Sequence, residues 1–191
     1  MNTYHRPITP KPKPAPLPKK GKKPIKASGK TRKQKTNRQK LVSQISNLCR
    51  EITKWRDGCI CVLSEVDGSR CNEVSQWGHV VAQGASGFLK HSLSNSFRQC
   101  GSHNTIHNHN SLIYNNWYRH KFGNRAIDML EKASYITYYK FTIPDLWEMR
   151  DNLQALYEKR YEMNGATLEQ LIEAGYYGEI IQEAWRKDGR I

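Results

Sequence analysis

Four of the five cysteines and five of the seven histidines lie between Cys59 and His109. They appear in a legible order: C-I-C at 59–61, then Cys71, then W-G-H at 77–79, then C-G-S-H-N-T-I-H-N-H-N from 100 to 110. Thiols and imidazoles at this density suit a borderline-soft divalent cation, zinc before any other. Cys100 and His103 form a C-x-x-H pair, and two of Cys59, Cys61 and Cys71 would complete a tetrahedral shell. Four protein ligands leave no position for water, so such a site is structural. Cys59 and Cys61 are too close for an ordinary C-x-x-C knuckle. Cys59 and Cys71 are the preferred pair, with Cys61 as substitute ligand. Cys49 lies beside the apolar face of a helix and reads as a packed thiol.

His79 stands between the two halves of this cluster, and Asn95 stands between His79 and Cys100. A histidine beside a tryptophan is ordinarily a packed or surface residue. Its place in the cluster, ahead of a loop rich in Gly and Ser, makes it a candidate for chemistry instead.

The elements that must position these residues can be read from periodicity. Leu41, Ile45, Leu48, Ile52 and Trp55 fall at three- and four-residue spacing and predict a helix over 39–56, ended by Asp57-Gly58. Short strand-like pieces follow around D-G-S at 67–69, which suggests a hairpin returning Cys71 towards Cys59 and Cys61. Residues 77–83 read as a strand and 84–95 as a loop. Helices are expected after His103, over 112–120 and over 125–133. Thr142 caps a further helix to about 163, and T-L-E-Q at 167–170 is a capping box for a last one reaching about 185. Gly175 and Gly178 weaken that last helix in its middle.

The formal net charge is +14, and it is unevenly placed. Residues 1–40 carry fourteen Lys and Arg with no acid, whereas 41–191 carry seventeen of each sign. Seven of the eight prolines also fall between Pro7 and Pro24. Such a segment cannot bury a core and is expected to be a disordered arm attracted to polyanions, DNA or RNA. Lys19, Lys20, Lys22, Lys23, Arg32 and Lys33 are its phosphate-contact candidates, joined by Arg98, Arg119, Lys121 and Arg125 near the Cys/His window. His91, His109 and His120 read as solvent-exposed. No apolar run approaches a membrane span and no leader pattern follows Met1, so an intracellular protein is expected.

The window resembles the His-Asn-His (ββα-metal, or His-Me finger) nucleases, and more closely the NinG/Rap recombination endonucleases of lambdoid phages. Gly78-His79 is similar to the family's Gly-His, and Asn95 to its middle Asn. Q-C-G-S-H-N at 99–104 is similar to Gln-Cys-x-x-Cys-Asn, with His103 in place of the second Cys. The likeness covers roughly residues 50–162, through F-G-x-x-A-I-D at 122–128. It implies a zinc-stapled ββα-metal core flanked by helices, an α+β fold. The expected organisation is a basic arm at 1–38, a helix at 39–57, the nuclease core at 58–122 and a helical region at 123–191.

The resemblance also implies the roles. His79 would be the general base that deprotonates water, and Asn95 would hold the imidazole or its loop. Asn104 would bind a catalytic Mg²⁺ or Mn²⁺, with His107 as helper and the zinc separate. The implied substrate is DNA, at branched or Holliday-junction-like intermediates, in the cytoplasm of a phage-infected bacterium; two-fold junctions suit a homodimer. Two departures stand out. The family's acid or histidine just before the base is replaced by Gln76, Trp77 and Gly78, with Glu73 and Gln76 the nearest polar candidates. The first knuckle is C-I-C with a later Cys71. The competing readings are a zinc-finger DNA- or RNA-binding protein without catalysis, and an interaction protein whose C-terminal helices dock a partner.

Overall fold

The computed structural model describes residues 35–191, except 73, 108–109 and 137–139. The arm candidates Lys19, Lys20, Lys22, Lys23, Arg32 and Lys33, together with Glu73 and His109, lie outside the described residues. The fold is mostly helical, with one small antiparallel sheet beside the Cys/His cluster.

Helix α1 (Asn37–Asp57) begins at a capping box, in which Thr36 accepts from the Gln39 amide and the Gln39 side chain accepts from the Thr36 amide. Its predicted stripe buries Leu41, Ile45 and Ile52 against Leu146 and Leu153 of α6 (Ile143–Lys159). Gly58, at φ 67°, ends α1 in a conformation that costs a side-chain-bearing residue energy.

The segment after Gly58 differs from the expected hairpin. It forms a short helix, α2 (Ser64–Asp67), and one 3₁₀ turn (Gly68–Arg70). Asp67 and Ser69 are turn and cap formers. Here their side chains bond to each other at 3.3 Å, so D-G-S closes a helical turn instead of a two-residue strand reversal.

Strand β1 (Val74–His79) pairs antiparallel with β2 (Ser96–Cys100), with His79 opposite Ser96 and Gly78 opposite Phe97. The strand predicted over 77–83 therefore begins earlier and stops at His79, because Val80 and Val81 turn into the loop. Helix α3 (Gly101–His107) follows β2 directly, giving a β-loop-β-α unit. Helix α4 (Leu112–Phe122) then stacks Tyr114, Trp117, Tyr118 and Phe122 around Phe97 of β2, and α5 (Asn124–Ser134) buries Ala126, Ile127 and Leu130 in the same core.

The single C-terminal helix expected over 167–185 is two helices, α7 (Leu168–Glu173) and α8 (Gly178–Lys187). Gly175 and Gly178 take φ of +88° and +77° and break it. A Cβ at Gly178 would also sit 2.7 Å from the Ser94 amide nitrogen. Ser94 Oγ donates to the Tyr177 carbonyl at 2.8 Å and accepts from the Ile181 amide at 3.3 Å, so α8 docks tightly on the loop before β2. No helix among the described residues is long and apolar enough to cross a membrane.

Between these layers lies an ion pair that the sequence did not single out. Arg56 has no exposed side-chain surface and Asp57 only 3%. Their two bonds measure 2.6 and 2.9 Å. The guanidinium also donates to the carbonyls of Leu93, Tyr176 and Ser96 at 3.2, 3.0 and 2.7 Å, and lies over the Phe97 and Tyr177 rings. Asp57 Oδ2 accepts from the Arg98 amide at 2.9 Å. The end of α1, β2 and the C-terminal segment are thus held at one point.

Candidate metal centre and hydrolytic site

The ligand atoms of Cys61, Cys71, Cys100 and His103 lie within 4.8 Å of one another. His103 Nδ1 is 3.4, 3.5 and 3.3 Å from the three sulfurs in turn. One imidazole lone pair cannot accept from three thiols, so hydrogen bonding does not account for the convergence. Zinc bonds of about 2.3 Å to sulfur and about 2.0 Å to nitrogen give tetrahedral S···N edges of about 3.5 Å, which these distances match. The Cys₃His cluster supports a structural zinc site. The expected first ligand is corrected: Cys59 is exposed and outside the group, and Cys61 takes its place. Cys59 lies in the turn that leaves α1, whereas Cys61 is two residues further on, where Val62 donates to the Arg98 carbonyl of β2 and points the chain inward.

The electrostatics agree with a cation-binding cluster. Burial works against ionising Cys100, but the His103 and Asn72 backbone amides and the Cys61 thiol outweigh it and bring the thiol down to about 7. Burial, then the neighbouring Cys61 and Cys100, push Cys71 up to about 12. Thiolates this close repel unless a cation sits among them. Asp67 Oδ2 lies 3.6 Å from His103 Nε2, too far for a hydrogen bond, so the carboxylate faces the imidazole as a nearby charge.

His79 ends β1 and is 6% exposed. Its Nε2 lies 3.2 Å from the Lys90 carbonyl, which can only accept, so Nε2 carries the proton and Nδ1 keeps its lone pair. Gln83 Nε2 sits between the two ring nitrogens, 3.3 Å from Nδ1 and 3.2 Å from Nε2, and so does not select one of them. Burial, and after it the Arg50 and Lys90 charges, lower the His79 pKa to about 4 despite the Lys90 bond. His91 is corrected from exposed to buried. Its burial, with Lys90 and His79 nearby, also lowers it to about 4. Both rings are neutral at physiological pH, the state a proton acceptor requires.

Because both folded values lie below the ordinary histidine range of about 6.5, the associated stability is complete above that range. It is lost as pH falls through the folded values. Ring-proton NMR is expected to show His79 and His91 untitrated down to about pH 5. A midpoint near 6.5 for His79 would contradict its desolvated setting.

Asn95 is fully buried and bonds to the loop, not the imidazole. Its Oδ1 accepts from the Val81 amide at 2.7 Å, and its Nδ2 donates to the carbonyls of Val81 and Leu89 at 2.9 and 3.2 Å. One amide therefore extends the strand pairing past His79 and fixes the segment that presents the Lys90 carbonyl.

Asn104 lies on α3 in a chain of amides. Gln99 Nε2 donates to Asn104 Oδ1 at 2.9 Å, and Asn104 Nδ2 donates to Gln76 Oε1. Gly78 explains how Gln99 gets there: a Cβ at position 78 would lie 1.6 Å from Gln99 Nε2 and 2.1 Å from its Cδ. The Gln99 side chain fills the space that a side chain before His79 would occupy. Its Oε1 is buried without a donor among the described residues. An unused amide oxygen beside Asn104 fits a hard, oxygen-preferring cation. His107 bonds through Nε2 to the Val80 carbonyl at 3.1 Å and packs edge-on against Tyr114, so it ties α3 to the end of β1.

Of the other cations, Arg98 is half-buried in β2, Arg119 is exposed, Lys121 lies 3.8 Å from Glu65, and Arg125 pairs with Asp188 at 2.5 Å. The sequence reading missed Arg50 and Lys90, and it placed Gln99 in a motif without giving it a role. Gln99 had a signal in the Gly two positions from Gln76, but only the strand register shows that the two meet.

The family model of the bacteriophage lambda NinG protein matches residues 13–162. The chain belongs to the NinG family. The match begins within the basic segment, well ahead of the limit near residue 50 expected from motifs, and it ends before α7. No curated protein and no solved structure matches the chain. NinG membership together with the Cys₃His cluster supports a metal-dependent nuclease and is consistent with the His-Me finger superfamily.

Proposed function

We propose that this NinG-family protein is an endonuclease that hydrolyses DNA phosphodiester bonds, with His79 as general base. The observation that carries the reading is the state of His79. It is a neutral, desolvated imidazole with Nε2 committed to the Lys90 carbonyl and Nδ1 left as acceptor. On this reading water displaces the Gln83 amide and gives its proton to Nδ1 as it attacks phosphorus, while the opposite P–O ester bond breaks and the leaving sugar oxygen takes a proton from solvent. Asn95 acts on the reaction only through the loop it fixes.

Asn104, with the unused oxygen of Gln99 and the neighbouring Gln76, is the set that would hold Mg²⁺ or Mn²⁺. When bound, that ion supplies positive charge against the phosphate oxygens in the transition state. We read His107 as a strut between α3 and β1, because its Nε2 is already engaged. The zinc cluster acts on folding alone. Branched recombination intermediates are the substrate that the family resemblance implies, and a homodimer would suit their two-fold geometry. The basic segment 1–40 would add sequence-independent attraction to phosphates.

A second reading, a zinc-stapled DNA-binding protein without catalysis, draws on one observation: among the described residues no carboxylate contacts His79 or Asn104. Purified protein incubated with supercoiled plasmid and with a synthetic four-way junction separates the two. Cleavage that needs added Mg²⁺ or Mn²⁺ is expected. Binding without cleavage in either ion would favour the second reading, and, with a linear duplex of the same arms as a third substrate, equal cleavage of junction and duplex would remove the branch preference.

A further inference from the structure

One flank of His79 is not used by the hydrolytic reading. The Cys49 thiol of α1 donates to the His91 carbonyl at 3.3 Å, which holds the middle of α1 against the loop before β2. The residues next to these, Arg50 and Lys90, are thereby drawn to His79. The Arg50 guanidinium carbon lies 5.3 Å from the centre of the Trp77 ring, and that ring meets the His79 imidazole edge-on at 4.4 Å. Lys90 is tied to the same imidazole through its carbonyl.

Among the described residues, the Arg50, Lys90 and Trp77 side-chain donors of this neighbourhood have no hydrogen-bond or ion-pair acceptor. The ion pairs among the described residues include neither Arg50 nor Lys90. The Trp77 indole N–H is buried without a partner. That N–H is closed to solvent, so the case rests on the two cations: without ion-pair partners and beside one neutral ring, they form an arrangement that an anion would complete.

We propose that Arg50, held against the Trp77 ring, and Lys90 form a binding site for a backbone phosphodiester group beside His79. This rests on the nuclease reading for why a phosphodiester should come there, but it can fail separately. Stacking on Trp77 holds the Arg50 guanidinium in one plane, so little rotamer freedom is lost when it meets two phosphate oxygens. Lys90 shares its backbone bond with His79, so its ammonium group and the base are held by one short segment. An anion in this site would offset the two charges that depress His79.

The test is binding of a short DNA duplex by the full chain without divalent ions, over a range of salt concentrations. Wild type is compared with Arg50→Ala, Lys90→Ala, the double variant, and Lys132→Ala on α5 as a surface control. Each site residue is expected to reduce the slope of log K against log salt by about 0.9, the double variant by about twice that, and the control by nothing. Arg50→Lys should keep the slope while weakening binding, because it keeps the charge and loses the planar fork. Circular dichroism of each variant checks the fold. An unchanged slope in the folded double variant would overturn the proposal, even if wild type cleaves DNA. Absence of cleavage with a reduced slope would sink the nuclease reading and leave the phosphate site standing.

Discussion

Cys100→Ser is expected to abolish stoichiometric zinc binding and to unfold much of the β1-β2-α3 unit. Cys100 ends β2, and His103 lies one turn into α3, so the pair fixes where the strand stops and the helix starts. Cys61 and Cys71 bracket α2 and the 3₁₀ turn, a stretch whose described elements bury none of their own residues. Without a cation that stretch is held only at its start, by buried Leu63 and the Val62 bond to Arg98. Structural zinc contributes about 10–16 kcal/mol in small zinc-finger peptides, which is comparable with the whole stability of a domain. Metal analysis of wild type should return about one zinc per chain. Cys61→Ser and Cys100→Ser should both lose it, and Cys59→Ser should keep it. Retention of zinc by Cys61→Ser, or its loss from Cys59→Ser, would reverse the assignment made from the geometry.

Arg56→Ala should cost about 3–5 kcal/mol, read as a lower urea midpoint, because it leaves the Asp57 carboxylate buried and unpaired. Replacing a buried pair together by apolar residues is often tolerated, but here the double change Arg56→Met with Asp57→Leu should not recover the loss. The guanidinium also satisfies three backbone carbonyls, and Asp57 satisfies the Arg98 amide. Arg56→Lys keeps the charge but cannot present five donors in one plane, so it should fall between wild type and Ala. Burial opposes the Arg56 charge, yet the Asp57 charge and hydrogen bond hold its pKa above the ordinary value. Full stability in Arg56→Ala would mean that this junction does not hold β2 in place.

What the sequence made legible was local. The α1 stripe, the cap at Thr142, the capping box at Thr167 and the C-x-x-H pair all place residues within a turn or two of each other, and short-range rules decide such features. The choice between Cys59 and Cys61 was different. It depends on which residue faces inward after Gly58, and a backbone bond from Val62 to the distant Arg98 sets that direction. His91 looked exposed because its loop is rich in Gly and Ser, yet α1 packs over it and takes its carbonyl through Cys49. Arg56 was invisible for the same reason: a helix-ending Arg-Asp normally faces solvent, and only the tertiary fold closes over it. The Gly78 and Gln99 pairing shows how the strand register accounts for the missing side chain before His79. The glycine leaves room for an amide that arrives from the neighbouring strand.

The central claim is that a neutral His79 drives hydrolysis on a zinc-stapled frame. Its most direct test is plasmid cleavage by His79→Ala beside wild type, with Mg²⁺ or Mn²⁺ added or withheld and zinc content measured in both. The variant is expected to keep its zinc, its fold and its DNA binding, while cleavage falls by about 10²–10⁴-fold, the usual contribution of a positioned general base. Equal cleavage by the two folded proteins would contradict the role given to His79.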